Sequence, residues 1–250
     1  MSRKRLLLIG FISFCVSLLI YAPAQLMGVA INQLSGGRLY FANSQGSFWQ
    51  GNAHIVLNNI AQQAQAVDLG NLTWDTQPLQ LLAGKFAVSV TQNQGAPFWI
   101  TLDASRLHIE HAKFNLPTES VSTLMPNLKV ANLGGILAVR CENLSLTRQE
   151  ILGQVEIDWN QASSPLSSVN PLGHYLTKFD GSGSGLTILF NTLSAGPLMI
   201  HGTGHWAANT GLHFEGTAEA EPKSKLQLQE LLRVMGNETT ADSGHYQLRF

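Results

Sequence analysis

Three hydrophobic patterns follow one another along the chain. From Leu6 to Tyr21 apolar residues occupy almost every position, and the next charge is Arg38. With the residues to Ala24 this run approaches the ~20 that a helix needs to cross ~30 Å of hydrocarbon. Gly10, Ser13 and Ser17 are tolerated in such a helix, and Tyr21 falls where an interfacial aromatic belongs. Over residues 24–35 the pattern becomes helical: Leu26, Met27, Ala30, Ile31 and Leu34 lie on one face, and Gly36-Gly37 ends the helix. From Arg38 onward the period is two. Short strands are predicted at 38–43, 46–58, 67–75, 84–92, 98–112, 134–147, 151–160, 183–192, 196–207, 211–221 and 244–250, many separated by glycine-containing turns typical of antiparallel hairpins. Two segments break the alternation. Residues 117–127 read as a short helix capped by Thr118 and ended by Pro126, and residues 224–236 as a helix capped at Ser224 and stopped by Gly236.

The expected fold is therefore mainly β. A transmembrane helix at the N-terminus precedes an antiparallel, curved, repeat-like sheet, a trough or open barrel, with one or two short helices. The segmentation is a tip at 1–5, a membrane helix at 6–24, a helical linker at 25–37 and a β-rich domain at 38–250, with pseudo-repeats at about 38–130 and 131–250. The repeat is weak. One unit runs from Gly46-Ser-Phe-Trp49-Gln-Gly51 through Trp74 to Pro78-Leu79 and Gly84. Another runs from Gly134-Gly135 through Trp159 to Pro165-Leu166. A shorter one runs from Gly196-Pro197-Leu198 to Trp206. Repetition of this kind implies hairpins laid side by side in one sheet.

Charge orients the chain. The formal net charge is −1, and removing Arg3, Lys4 and Arg5 from the sum leaves −4 for the remainder. Three cations before the apolar run keep the N-terminus in the cytoplasm, so everything after about Pro23 lies across the membrane. A cleavable signal peptide is the competing reading, with Ala22-Pro23-Ala24 as the small-residue site and a mature start at Gln25. The 16-residue core from Leu6 to Tyr21 exceeds the usual 7–15, which favours a retained anchor. Charged residues form only 12 % of the chain, about half the ordinary share, which suits strands and turns. The basic residues form no cluster interleaved with aromatics, which argues against nucleic-acid binding.

Chemistry-bearing constellations are weak. His108-Ile109-Glu110-His111 places residues 108 and 110 on one face of a strand and 111 on the other, so the three do not converge on a metal. His201 and His205 share a strand face but have no third ligand. Gly181-Ser-Gly-Ser-Gly185 reads as a flexible turn before a strand, not as a nucleophile elbow. Asp158, Asp180 and Glu215 are isolated carboxylates. Of the two cysteines, Cys15 lies in the apolar run and Cys141 reads as a small buried residue in a strand, without a neighbouring cation to form a thiolate. No catalytic set, metal or cofactor is expected. Trp49, Trp74, Trp159 and Trp206 fall near strand ends, where a tryptophan packs the core or rim of a sheet or offers a face to a ligand.

With these elements placed, the chain resembles the type II secretion system protein N family. The resemblance rests on the basic start and single apolar helix, Ala22-Pro23-Ala24 and Gly46-Ser47-Phe48-Trp49-Gln50-Gly51, where the family has Gly-Thr-x-Trp-x-Gly. It continues with Leu72-Thr73-Trp74-Asp75 leading to Pro78-Leu79-x-Leu81-Leu82-x-Gly84, then Gly196-Pro197-Leu198-Met199-Ile200-His201-Gly202, the C-terminal helix with Leu231-Leu232-Arg233-Val234-Met235-Gly236, and Gly244-His-Tyr. The resemblance implies an accessory, non-enzymatic inner-membrane component of the type II secretion system. Such a component is single-pass with a periplasmic domain, and supports export of folded proteins across the outer membrane through contacts with other secretion-system proteins. The residues that carry the motif, as partner contacts or as structure, are Gly46, Trp49, Gly51, Trp74, Pro78, Leu79, Gly84, Trp159 and Trp206. The expected trough is also similar, at fold level only, to AsmA-like periplasmic proteins that handle lipid.

Overall fold

The computed structural model describes residues 21–59, 64–120, 132–239 and 244–249, together with Leu7, Phe11, Ser13, Phe14, Ser17 and Ile20. Its strands are β1 (Leu39–Gly46), β2 (Gln50–Asn59), β3 (Ala64–Thr76), β4 (Phe86–Gln92), β5 (Phe98–Leu102), β6 (Leu107–Pro117) and β7 (Gly134–Leu146). They continue as β8 (Ile151–Ser163), β9 (Gly173–Gly183), β10 (Gly185–Thr192), β11 (Leu198–Ala207), β12 (Gly211–Ala220), β13 (Asn237–Glu238) and β14 (His245–Arg249). Helix α1 covers Gln25–Leu34 and helix α2 covers Lys225–Met235. Period-two alternation joined by short turns gives neighbours in sequence that are neighbours in space. All fourteen strands form one open, curved, antiparallel sheet in the order β1 to β12, then β14 and β13. β1 is one edge and β13 the other.

The ladder defines two ends. The β1–β2 turn, the β5–β6 and β7–β8 turns and the β9–β10 turn lie at the near end. The β10–β11 turn and helix α2 lie at the far end. Cross-strand registers also give the sheet one apolar and one polar face. Cys141, Val155, Phe179, Ile188, Gly204 and Phe214 are successive partners on the apolar face. Arg140, Glu156, Lys178 and Leu189 are successive partners on the other. There Lys178 reaches Glu156 at 2.7 Å, an exposed pair worth about 0–1 kcal/mol. Arg140 reaches Asp158 at 3.3 Å. Asp158 is mostly buried, also contacts His174 Nε2 and accepts from Asn160 Nδ2 (2.8 Å), and so is not the isolated carboxylate expected.

The apolar face is covered at both flanks. Helix α1 starts at the near end and runs back along β1. Its Gly28 lies so close that a methyl there would sit 3.2 Å from Phe41 Cβ, and Met27 is buried against Trp74 and Ala53. Gly36 and Gly37 end the helix at φ of 63° and 82°, which only glycine adopts freely. At the far end Leu228, Leu231 and Leu232 of α2 are buried with Tyr175, Leu198, Ala218, Tyr246 and Leu248. Ser224 occupies the N-cap position but makes no capping bond. Gly236 stops the helix by entering an extended conformation beside β14, where a methyl would meet Gln247 O at 2.3 Å.

Several expectations are corrected. The single strand at 98–112 is two strands, because the Asp103 carboxylate accepts N–H from Ser105 (3.0 Å) and Arg106 (2.8 Å) and closes a turn. Those bonds hold the Asp103 carboxyl below the usual carboxylate range. β9 has no counterpart among the expected strands; Leu176 on its polar face blurs the alternation. The glycine-serine run is the turn before β10, with Leu186 pairing back to Gly181, although Gly181–Gly183 also remain paired with β8. The 117–127 helix lies outside the described residues beyond Ser120. Much of the expected membrane helix at 6–24 also lies outside them. Its six described positions before Tyr21 are helical and exposed, and no helix among the described residues is long and apolar enough to cross a membrane.

Candidate functional site

The Gly46–Gly51 motif is the β1–β2 turn at the near end. Gly46 pairs with Gly51 at φ 92°, and any side chain there would strike Gln50 O at 2.5 Å. Inside the turn, Ser47 N–H donates to Gln50 O (2.8 Å), and Ser47 Oγ accepts from Trp49 N (3.2 Å) and Gln50 N (3.0 Å). A serine or threonine at 47 therefore satisfies two amides that the tight turn leaves without strand partners.

Trp74 fills the space beneath this turn. It is 3 % exposed and donates its indole N–H to Phe48 O at 3.1 Å. It stacks on Phe41 with ring centroids 5.4 Å apart. Gly51 lies directly under the ring: a methyl there would come within 2.5 Å of Trp74 Cζ2 and 2.5 Å of Gln45 O. Trp49 is partly exposed and packs edge-on against Phe48, with ring centroids 5.2 Å apart. Its carbonyl accepts from Thr76 N (2.7 Å) and Thr76 Oγ1 (2.9 Å), which ties the turn to the end of β3. Pro78 then begins a 3-10 helix over Pro78–Ala83, ended by Gly84 in the left-handed region at φ 71°. Leu79 is 78 % exposed. Gly46, Trp49, Gly51, Trp74, Pro78, Leu79 and Gly84 thus belong to one structural unit.

That unit also grips the chain that precedes the sheet, a role the sequence pattern does not show. Pro23 forms a bridge to Ser47, Phe48 N–H donates to Ala22 O (2.8 Å), and Ala24 N–H reaches Gly46 O (3.3 Å). Ala22 and Ala24 are buried, and Tyr21 N–H still donates to Ser17 O in helical fashion (3.0 Å). The small residues at 22 and 24 are the only available signal: larger ones would not pass under the turn.

Trp159 and Trp206 lie elsewhere. Trp159 repeats the device of Trp74, donating its indole N–H to Gly134 O at 3.1 Å and packing on Tyr175 with centroids at 5.4 Å, but towards the far end. Burial pushes the Tyr175 hydroxyl above its ordinary range, and it donates to Leu198 O at 2.9 Å. Trp206 pairs with Leu186 and Leu212 at the near end of β11 and is partly exposed. The three sequence-similar tryptophans therefore stand on strands of alternating direction.

The polar clusters are dispersed. His108 and Glu110 share the polar face, while His111 itself sits at φ 55° and pairs its Nδ1 with Glu142 at 3.2 Å. His108, Glu110, Asn143, Ser145 and Leu152 line a shallow cavity of about 280 Å³. His201 contacts Asn191 at 3.3 Å. Among the described residues no group of three or more His, Cys, Asp or Glu is placed to hold a metal. Cys141 is free and buried in β7, and burial raises its thiol above the ordinary range.

A second built feature sits at the far tip of the β4–β5 hairpin, which is shorter than its neighbours. Gln92 spans the resulting notch: its Nε2 donates to Leu69 O (2.6 Å) on β3 and Asn115 O (3.2 Å) on β6, and its Oε1 accepts from Asn115 N (3.2 Å). One side-chain amide replaces the peptide unit that a longer strand would supply.

Comparison with curated proteins and with solved structures finds no match. Comparison with protein families matches residues 38–249 to the family described as type II secretion system (T2SS), protein N. The match begins at the first strand and ends at the last, so it takes in the turn, its tryptophan and both far-end elements. This chain belongs to the type II secretion system protein N family and is a component of that secretion system.

Proposed function

We propose that the chain is an accessory inner-membrane component of the type II secretion system, single-pass with its N-terminus in the cytoplasm and its sheet in the periplasm, which supports export of folded proteins by protein–protein contacts. The observation that carries this reading is the family match over residues 38–249, set beside the basic tip and apolar run that precede them. The burial of Ala22 and Ala24 within the sheet's end supports a retained helix, since cleavage after Ala24 would remove a packed part of the fold. The sheet offers two contact surfaces. One is the partly exposed Trp49 on the near-end turn. The other is the outer edge of β1 over Tyr40–Ala42, between Leu39, whose N–H and carbonyl are taken by Ser35 Oγ (3.0 Å) and Asn32 Nδ2 (3.0 Å), and a bulge at Asn43 that interrupts the ladder.

Deletion of the gene and assay of secreted enzymes in the medium tests the role. A photoreactive residue in place of Trp49, cross-linked in intact cells, identifies the contact. Unaltered secretion together with no co-purifying secretion component would refute the proposal.

A second reading is a periplasmic lipid-binding trough. What favours it is the continuous apolar face, whose central residues Val155, Phe179, Ile188, Trp206 and Phe214 are only partly covered between the two helices. Native mass spectrometry of the purified protein should then show bound phospholipid, and a chain free of lipid removes this reading.

A further inference from the structure

The near end carries a feature that neither reading uses. Between Thr76 and Lys85 the sequence Gln-Pro-Leu-Gln-Leu-Leu-Ala-Gly holds no charge, and its 3-10 helix buries none of its residues. Leu79 is 78 % exposed and Leu82 is 89 % exposed. Leu102, on the next turn along the same end, is also exposed. Leucines presented this way gain nothing from the fold and cost solvation in water.

Their position relative to the N-terminal helix gives them an occupant. Helical bonding continues to Tyr21, and Ala22 is already paired with Phe48. No linker separates the helix from the sheet. Counting outward, Ala22 bonds Phe48, Trp49 bonds Thr76, and Pro78 follows two residues later. At roughly 4.8 Å per strand spacing, the leucine turn starts about 10 Å to the side of the helix exit. If residues 6–24 span the bilayer, Tyr21 stands at its outer interface, and the leucine turn stands beside it on the same plane.

We infer that the Pro78–Ala83 turn is a second membrane contact, with Leu79 and Leu82 seated in the outer leaflet beside the helix. This inference rests on the anchor reading of residues 6–24. Two attachments at different points on one rigid end fix the tilt of the sheet on the membrane, which a single helix does not. Trp49 and Tyr21 flank the contact as interfacial aromatics, and Lys85 closes the turn where a cation meets phosphate headgroups.

The test uses the full chain, with Cys15→Ser and Cys141→Ala, reconstituted in vesicles of phosphatidylethanolamine and phosphatidylglycerol. Single cysteines at Ser13, Leu82 or Ser194, the last an exposed residue of the β10–β11 turn, carry an environment-sensitive fluorophore, and spin-labelled lipids report depth by quenching. The Leu82 label should be quenched at a depth of about 5–10 Å, the Ser13 label more deeply, and the Ser194 label at the far end not at all. A Leu82 label that behaves like the Ser194 label while the Ser13 label is quenched overturns the second contact and leaves the anchor standing. An unquenched Ser13 label overturns the anchor, and the inference falls with it.

Discussion

Replacing Gly51 by alanine isolates what the near-end turn demands of its sequence. Gly51 does not adopt a left-handed conformation, so the substitution carries no backbone penalty and its effect is steric. The added methyl would meet Trp74 Cζ2 at 2.5 Å, Cε2 at 3.0 Å and Gln45 O at 2.5 Å. None of these can retreat cheaply: Gln45 O is backbone, and Trp74 is held by Phe41 on one side and by its bond to Phe48 O on another. Overpacking of a tight core costs typically about 1–3 kcal/mol, and displacement of the indole adds about 1 kcal/mol for its hydrogen bond. The expected loss is therefore roughly 2–4 kcal/mol, or roughly 5–15 °C in melting temperature for a chain of this size. Urea unfolding of the full chain in detergent, followed by far-ultraviolet circular dichroism, measures it. Combining Gly51→Ala with Trp74→Phe should be less than additive by about 1–2 kcal/mol, because the struck indole atoms are then absent and only the clash with Gln45 O remains. Gly84→Ala provides the contrast. It sits at φ 71° with no atom within 4 Å, so it should cost only about 1 kcal/mol of conformational strain and add independently of residue 74. A Gly51→Ala protein within about 0.5 kcal/mol of the parent, or full additivity with Trp74→Phe, would refute the packing argument.

Three further outcomes follow from the geometry. Leu231→Ala should cost about 2–5 kcal/mol and raise binding of a hydrophobic dye, since the side chain is fully buried between α2 and the far end of the sheet; a dye signal equal to the parent's would show that the helix does not cover that face. Gln92→Leu should destabilise by about 1–2 kcal/mol through its lost bridging bonds and speed amide exchange at Asn115, whose N–H donates to Gln92 Oε1; unchanged exchange there would remove the clamp. The bonds from Ser105 and Arg106 depress the Asp103 carboxyl, so its support of the turn is complete above the ordinary carboxylate pKa and fades as pH falls through the lowered value. Asp103→Asn should abolish the acid-side loss of amide protection at Ser105 and Arg106, and a pH profile identical to the parent's would contradict that cause.

Much of the architecture is legible in the sequence because strand and helix patterns are local. Period-two alternation, glycine turns and the leucine spacing of 225–235 each arise from side chains a few residues apart, and they give the element order, the antiparallel hairpins and the position of α2. The same local reading finds Gly46, Gly51 and Trp74 as members of one motif. It does not show why they belong together. That depends on Gly51 lying under the Trp74 ring and on Phe48 O accepting its indole N–H, contacts between residues more than twenty positions apart. Sequence likeness also groups Trp74, Trp159 and Trp206, yet strand direction reverses between them and sends Trp159 towards the opposite end, which only the ladder register decides. The turn at Asp103 is hidden for a smaller reason: its signal is a side-chain-to-backbone bond inside a stretch that otherwise alternates. The N-terminal run is apolar by its sequence alone. Only the tertiary structure joins its last helical turn to the sheet without a linker, because Ala22 and Ala24 are small enough to be built into the β1–β2 turn.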